Sequence, residues 1–179
     1  MPLAQGGYEV RATSRTDLIE LYRCRAALEA LATEEAAACC DAKAHARLNR
    51  LIAQADEAIA RGELDRAFKL NTEFHAAVLE LSGNRHLGGL LDTLQRLVMF
   101  YRTALLRMAQ ADDRNHALYL ERLREKQDAH RAIFAALAAR DGVRAAALMQ
   151  AHVRGTAEDL LPAIEESPAT FEESPRDAA

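Results

Sequence analysis

The chain has 179 residues and a formal net charge of −4; half of its residues are apolar, but only 5% are aromatic. This length is sufficient for one domain with a substantial core, and the abundance of Ala and Leu favours helices over strands. No apolar run approaches the roughly 18 residues that a membrane span requires. The first residues lack the basic and apolar regions of a signal peptide, so neither a membrane protein nor a secreted one is expected.

The distribution of charge and cysteine narrows the class of protein further. Residues 162–179 hold five acidic residues and one arginine, so the remainder of the chain is close to neutral. A domain that binds duplex DNA normally carries a dense basic face, and we therefore expect no DNA contact by this chain alone. Three cysteines, two of them adjacent, argue against a disulfide framework and for a cytoplasmic location.

The periodicity of apolar residues predicts an all-α protein. Residues 1–15 are expected to be irregular, with a turn at Gly6-Gly7 and the end of a strand or a short strand at 8–10. Helices are predicted over about 16–40, 41–62, 63–82, 85–109, 112–140 and 142–161, with Thr16 and Asp41 as N-caps and Gly62 after the second helix.

Pro162 is expected to stop the last helix, and 162–179, with two Ser-Pro pairs and many acids, to be disordered. We therefore predict one domain over residues 16–161. Short connections between its helices favour a compact antiparallel bundle of six to seven helices.

Polar residues lie on the apolar stripes of three of these helices. Asn71 and His75 are four residues apart and share one face of the third helix. His130 and His152 lie on the buried stripes of the fifth and sixth helices, each eleven residues from Asp141 in the turn between them. Residues equidistant from the turn of an antiparallel helical hairpin lie at the same height, so the two imidazoles are expected side by side.

Such a cluster suits a divalent metal. Zn²⁺ and Ni²⁺ accept neutral imidazole nitrogens, and three of them leave positions open for water or a ligand oxygen. The carbonyl oxygen of Asn71 is a fourth, weaker donor. The alternative is that each histidine is a core residue whose nitrogens are satisfied by a backbone carbonyl or water.

Two arginines are candidates for binding a carboxylate. Arg25 lies on the apolar stripe of the first helix, and a buried guanidinium needs a partner. That partner is either a ligand carboxylate, which Arg can bind through two parallel hydrogen bonds, or an internal acid such as Glu29. Arg102 is a weaker candidate in the fourth helix, because its long side chain can extend to solvent. The mixed-charge stretch 121–126 is expected to be an exposed face.

Three segments resemble a known family. The runs DLIELYRCRAALEALATEEAA, LNTEFHAAVLELSGNRHL and AHRAIFAALAARDGVRAAALMQAHV resemble the FCD ligand-binding domain of FadR-type GntR transcriptional regulators. The resemblance extends over about residues 14–160. It implies an antiparallel helical bundle that binds a small organic acid, often through a metal, and acts as a homodimer. It also implies that the metal ligands are Asn71, His75, His130 and His152, and that Arg25 lies near the effector.

Two features depart from the family pattern. The first metal ligand is usually Asp, and the neutral Asn71 implies that zinc or nickel is held more weakly. These regulators also carry a winged-helix DNA-binding domain in front, of which QGGYEV resembles only the last strand. The expectation is a fragment, or a regulator without its DNA-binding domain.

The favoured function is thus the effector-binding domain of a metabolite-responsive regulator, without enzymatic activity. One alternative is a metal-dependent hydrolase, because three histidines and an open position suit an activated water. A hydrolase needs a general base beside the metal, and Glu73, two residues after Asn71, is expected to point away from the stripe. The other alternative is a helical dimerisation module that binds no ligand.

Overall fold

The computed structural model describes the backbone of residues 15–165 and the side chains of residues 15–161. The described residues form six α-helices and no strand, which confirms the predicted all-α bundle. The helices are α1 (Arg15–Ala38), α2 (Ala42–Ala60), α3 (Leu64–Ser82), α4 (Arg85–Ala111), α5 (Asp113–Ala138) and α6 (Gly142–Glu165).

Short polar side chains and glycines fix the ends of these helices. Asp41, Asn84 and Asp112 are N-caps, and each side chain accepts a hydrogen bond from a backbone N–H of the first turn. Gly62 and Gly83 follow α2 and α3 with φ of +68°, a conformation that costs glycine little. The connections are consequently short, and consecutive helices can pack against each other.

Helix α1 runs through the centre of the bundle. It packs most extensively against α6 and also contacts α3, α4 and α5, whereas α2 covers α3 and α5. Small residues such as Ala26, Ala36 and Ala37 are fully or almost fully buried on α1, and they allow its neighbours to approach closely. The face of α1 that packs against these helices carries Arg25, Glu29 and Thr33, whose polar side chains are buried.

Two expected helix boundaries are wrong. The last helix continues to Glu165 instead of stopping before Pro162, because one proline removes a single backbone donor and need not end a helix. Thr16 lies inside α1, which begins at Arg15, so it is not the N-cap. The predicted turn and strand within 1–14, and the predicted disorder of 166–179, lie outside the described residues. None of the six described helices is long and apolar enough to cross a membrane.

Candidate metal centre and ligand cavity

The three predicted histidines meet in the interior of the bundle. The Nε2 atom of His130 lies 3.4 Å from that of His75 and 3.2 Å from that of His152, and the last two Nε2 atoms are 3.2 Å apart. Helices α3, α5 and α6 each contribute one ring. The equal spacing of His130 and His152 from the α5–α6 turn thus correctly predicted their proximity. We call His75, His130 and His152 the three-histidine cluster.

Glu29 of α1 orients the first ring of the cluster. Its Oε2 lies 2.5 Å from Nδ1 of His75, while its Oε1 accepts a hydrogen bond of 2.6 Å from Nη2 of Arg25. Burial alone would raise the pKa of Glu29, but the neighbouring His75 and Arg25 outweigh it and hold that pKa well below its usual range. An ionised carboxylate only accepts hydrogen bonds, so Nδ1 of His75 carries a proton and donates.

Gln127 plays the same part for the second ring. Its amide Nε2 donates to the backbone carbonyl of Ile52 at 2.9 Å, which leaves the amide oxygen Oε1 facing Nδ1 of His130 at 3.2 Å. His130 therefore donates from Nδ1, and its ring also stacks on Phe74 with 4.4 Å between the ring centroids. In neutral imidazoles these two hydrogen bonds leave the Nε2 lone pairs of His75 and His130 free.

Burial favours the neutral form of two rings of the cluster, His130 and His152. It is the largest influence on His130, whose pKa lies well below the ordinary value, and the neighbouring His152 and His75 lower it further. Burial and His75 likewise lower the pKa of His152 to about 3. His130 and His152 are therefore neutral at neutral pH, the form in which an imidazole binds a metal ion.

The spacing of the cluster fits a tetrahedral metal ion. Zn–N bonds of about 2.1 Å in tetrahedral geometry place ligand nitrogens about 3.4 Å apart, close to the 3.2–3.4 Å observed. The described residues hold no other group of three His, Cys, Asp or Glu side chains that meets this spacing. The donor set and its spacing therefore suit Zn²⁺ or a similar divalent ion, with at least one coordination position left open.

The remaining predicted residues line a cavity beside the cluster. Its volume is about 40 Å³, enough for roughly three water molecules. Asn71 and Arg25 line it together with His75, His152 and Arg102. His130 does not line the cavity but contacts His75, so all six predicted site residues lie in one region. Asn71 is half-buried, one turn before His75 on α3.

The two arginines have different surroundings. Arg25 is 4% exposed and ion-paired with Glu29, the internal partner that the sequence left open, yet it also lines the cavity. Arg102 is 7% exposed. Its side chain therefore does not extend to solvent, although it is long enough to do so. Its Nη2 donates to Oγ1 of Thr72 at 3.2 Å, and its guanidinium lies 4.7 Å from the centre of the Phe68 ring.

The expectation of an exposed mixed-charge face over 121–126 is wrong at Lys126, and Leu123 within the same stretch is buried. The side chain of Lys126 is only 17% exposed, lines the cavity and forms an ion pair of 2.8 Å with Asp159 of α6. Lys126 is four residues before His130, so it lies on the same face of α5 and is drawn inward with it. The remaining charges of this stretch include Arg122, which pairs with Asp159 at the cavity rim.

The hydrolase alternative gains no support from this geometry. The side chain of Glu73 is 44% exposed and lies 3.7 Å from Nζ of Lys69, one turn earlier on the outer face of α3. Glu29 is the acid beside the cluster, but its two oxygens already face Arg25 and His75. Neither carboxylate is free to activate a water in the cavity.

Several site residues were missed by the sequence reasoning. Glu29 entered only as a partner for Arg25, and Gln127 and the cavity-lining Tyr22 and Tyr119 were not among the predicted site residues. Gln127 precedes His130 by three residues on one face of α5, and Glu29 follows Arg25 by four on α1. A search for polar residues one turn away from each predicted site residue would have found both.

Fold and site together define an all-helical domain with a small polar cavity beside a three-histidine cluster that is buried at His130 and partly buried at the other two rings. The FCD domain model matches residues 20–155, and the chain belongs to that family. The resemblance to the FCD domain read from the sequence is thereby confirmed, and the curated relatives below are HTH-type transcriptional regulators.

Two curated relatives and one solved structure agree with this assignment. The HTH-type transcriptional repressor GlaR of Escherichia coli (strain K12) is 30% identical over 157 residues, which are 83% of this chain and 66% of the relative. The uncharacterized HTH-type transcriptional regulator YdhC of Bacillus subtilis (strain 168) is 30% identical over 99 residues, 55% of this chain and 44% of the relative. This chain thus spans less than two thirds of either relative.

The solved structure of E. coli McbR/YncC matches with a TM-score of 0.68 at 21% identity, over 88% of this chain and 74% of that one. At this identity the match shows a shared fold.

Proposed function

We propose that this domain is the effector-binding part of a metabolite-responsive GntR-type transcriptional regulator and senses a small organic acid through a divalent metal. The observation that carries the proposal is the convergence of three Nε2 atoms within 3.4 Å of one another, with Nδ1 of two of the rings held by Glu29 and Gln127. Asn71 supplies a further oxygen donor at the cavity wall. The metal would be Zn²⁺ or Ni²⁺, held by the three-histidine cluster.

The residues around the three-histidine cluster would each have a role in binding the acid. A metal bound there provides an electrophilic position for a carboxylate oxygen, and Arg25 on the cavity wall offers its remaining donors to the same anion. Glu29 contacts both His75 and Arg25, so metal and acid would bind to groups that share one partner. An acid that binds two arrangements of the helices unequally would shift their populations, which is how a sensor domain would pass a signal to a DNA-binding domain.

Metal binding is tested first. The purified chain is stripped with a chelator, reloaded with zinc or nickel, and assayed for metal content and melting temperature. We expect one ion per chain and a rise in melting temperature that chelator reverses. The variant His152→Ala should lose both, whereas His86→Ala, which changes an exposed histidine on α4, should keep both.

Effector binding is tested on the metal-loaded protein with a panel of small organic acids. A shift in melting temperature that saturates with acid concentration is expected from at least one of them. A protein that takes up no metal and shows no shift with any acid would contradict the proposal and favour a ligand-free dimerisation module.

We also propose that the domain acts as a homodimer. Leu90, Leu97 and Phe100 are 55%, 52% and 64% exposed and follow one another along one face of α4. They account for three of the six large apolar side chains that are exposed among the described residues. A contiguous apolar stripe of this kind is typical of a self-association surface, and a second copy of the same face would cover it.

A further inference from the structure

The cavity wall carries hydrogen-bond donors that the protein leaves unused. The hydroxyl of Tyr22 and the Nε of Arg25 are buried, and within the described residues neither has a partner in good hydrogen-bond geometry. The side chain of Tyr22 is 1% exposed, with the guanidinium of Arg25 4.9 Å from the centre of its ring. Buried donors without partners are costly, so these two indicate a place for an acceptor that is not part of the chain.

Arg102 is a third group that lacks a full set of partners. It is 7% exposed, and among the described residues its contacts are the Thr72 hydroxyl and the Phe68 ring, without an ion pair. A guanidinium has five N–H donors and a permanent charge, and a buried charge normally has a counter-ion. Burial lowers the pKa of Arg102, as expected for a cation without a close anion.

Tyr119 adds another donor beside Arg102. Its side chain lines the cavity, and burial is the main cause that raises its pKa to about 12. The phenol therefore stays protonated at neutral pH. Like the Tyr22 hydroxyl, it can donate a hydrogen bond to a carboxylate oxygen.

A count of charges shows what is missing from the cavity. Three cations line it, of which Arg25 is paired with Glu29 and Lys126 with Asp159. Asp159 is shared with Arg122, and of the three cavity cations Arg102 is the one without an ion pair among the described residues. A metal in the three-histidine cluster would add two further positive charges. One carboxylate on the metal would leave the charge of Arg102 unpaired, and a second carboxylate on the same ligand would pair it.

We propose that the effector is a short dicarboxylic acid. One carboxylate lies at the three-histidine cluster and Arg25, and the other pairs with Arg102 and accepts hydrogen bonds from the tyrosine hydroxyls. The first half of this assignment rests on the proposed function, whereas the second rests on Arg102 and its surroundings. The cavity volume of about 40 Å³ favours acids with a backbone of only a few carbons.

Chain-matched acids test the proposal on the zinc-loaded chain. Calorimetric titration compares propionate with malonate, butyrate with succinate, and pentanoate with glutarate, so that each pair differs by one carboxylate. We expect at least one diacid to bind roughly tenfold or more tightly than its matched monoacid, because a hydrogen-bonded ion pair forms at Arg102. Zinc content is measured after each titration, and a diacid that only removes zinc from the protein counts against the proposal.

The variant Arg102→Gln tests the assignment of the second carboxylate. Glutamine can still donate to the Thr72 hydroxyl but carries no charge, so affinity for the diacid should fall about tenfold while affinity for the monoacid stays within twofold. Arg96→Gln, at an exposed arginine six residues earlier on α4, is the matched control and should change neither affinity. If Arg102→Gln fails to fold, the wild-type comparison of matched acids still decides.

The outcomes separate this inference from the function on which it rests. Monoacids that bind as tightly as their matched diacids would overturn the dicarboxylate proposal and leave a metal-dependent acid sensor intact. An Arg102→Gln variant that keeps the full preference for diacids would overturn the role of Arg102. A zinc-loaded protein that binds neither class of acid would overturn the proposed function and this inference together.

Discussion

At the scale of single residues, the site depends on how two of its three imidazoles are held at their second nitrogen. Glu29 and Gln127 accept from Nδ1 of His75 and His130, so both rings are fixed with Nε2 free toward the third ring. Partners of this kind orient metal ligands and raise their basicity. The carboxylate of Glu29 does this for His75 and at the same time neutralises the buried Arg25.

The variant Glu29→Gln tests this double role. It keeps the size of the side chain but removes the charge that balances Arg25 and strengthens the Nδ1 donor of His75. Affinity for zinc should fall about tenfold to a hundredfold. The free energy of unfolding should fall by about 3 kcal/mol, because a buried cation loses its counter-charge. Competition with a chromogenic chelator and urea denaturation measure the two effects.

The matched control for this variant is Glu73→Gln, which removes a carboxylate from an exposed position on α3. It should leave zinc affinity unchanged and alter stability by less than about 0.5 kcal/mol. Equal behaviour of the two variants would show that Glu29 does not support the metal centre.

A substitution at Asn71 should strengthen zinc binding rather than weaken it. Its position on the cavity wall, one turn before His75, suits a fourth ligand, but an amide oxygen carries no charge. The variant Asn71→Asp places a carboxylate near the metal, and zinc should bind at least about tenfold more tightly, equivalent to about 1.4 kcal/mol. Asn49→Asp on the exposed side of α2 adds the same charge at a distance and should not tighten binding. An unchanged affinity of Asn71→Asp would exclude residue 71 as a ligand.

At the scale of helices, register explains why part of the site was predictable. His130 and His152 are equidistant from Asp141, and a two-helix hairpin with a short turn leaves little freedom in how they align. The contact of His75 with Glu29 joins helices α3 and α1, and the two residues are 46 positions apart in the chain. No local rule fixes that distance, so this contact emerged only from the fold.

Lys126 and Pro162 likewise depart from what their local sequence predicts. Lys126 belongs to a stretch whose composition is typical of solvent-exposed helix, and its burial depends on Asp159 of a different helix. Pro162 similarly follows a strong rule for ending helices, yet α6 continues to Glu165. The composition of a segment predicts the average exposure of its residues, whereas the exposure of one side chain depends on the helix that packs against it.

The close packing of α6 on α1 supports a prediction at Gly142. A Cβ atom at this position would lie 3.0 Å from the backbone oxygen of Glu34 and 3.5 Å from the Cβ of Ala37. A backbone oxygen within α1 cannot move without shifting the helix. Gly142→Ala should therefore lower the free energy of unfolding by about 1–2 kcal/mol, measured by urea denaturation.

Gly155 of the same helix is the matched control. A Cβ atom there would meet nothing within 4 Å, so Gly155→Ala should gain about 0.5–1 kcal/mol from better helix propensity. Opposite signs for the two substitutions would show that packing on α1, rather than propensity, decides the effect at residue 142. A stabilising Gly142→Ala would contradict the close approach of the two helices.

At the scale of the whole molecule, the sequence established the fold more completely than the site. Six periodic segments with recognisable caps allow few arrangements other than an antiparallel bundle, and the three-histidine cluster follows once α3, α5 and α6 face one interior. The central place of α1 was not predictable, because its polar and apolar residues are not cleanly divided between two faces. That placement brings Tyr22, Arg25 and Glu29 to the cavity.

The exposed stripe on α4 supports the last prediction, which concerns assembly. Leu90, Leu97 and Phe100 lie on one face of that helix, while Leu91, Val98 and Leu105 on a neighbouring face are buried in the core. The double variant Leu97→Glu/Phe100→Glu should leave the fold intact, because neither side chain contributes to that core. Two like charges on each copy, facing each other without water, should shift the dimer to monomer at micromolar concentration.

Light scattering coupled to gel filtration measures the mass of each variant, and circular dichroism measures its helix content. Val143→Glu is the control, because Val143 is 75% exposed at the start of α6, away from the stripe, and its substitution should keep the dimer. A dimer that survives in the double variant would place the interface elsewhere. Arg102 extends from the buried side of the same helix. A dimer through α4 would therefore connect the cavity to the partner subunit. An acid that moves α4 would then change the distance between the two copies.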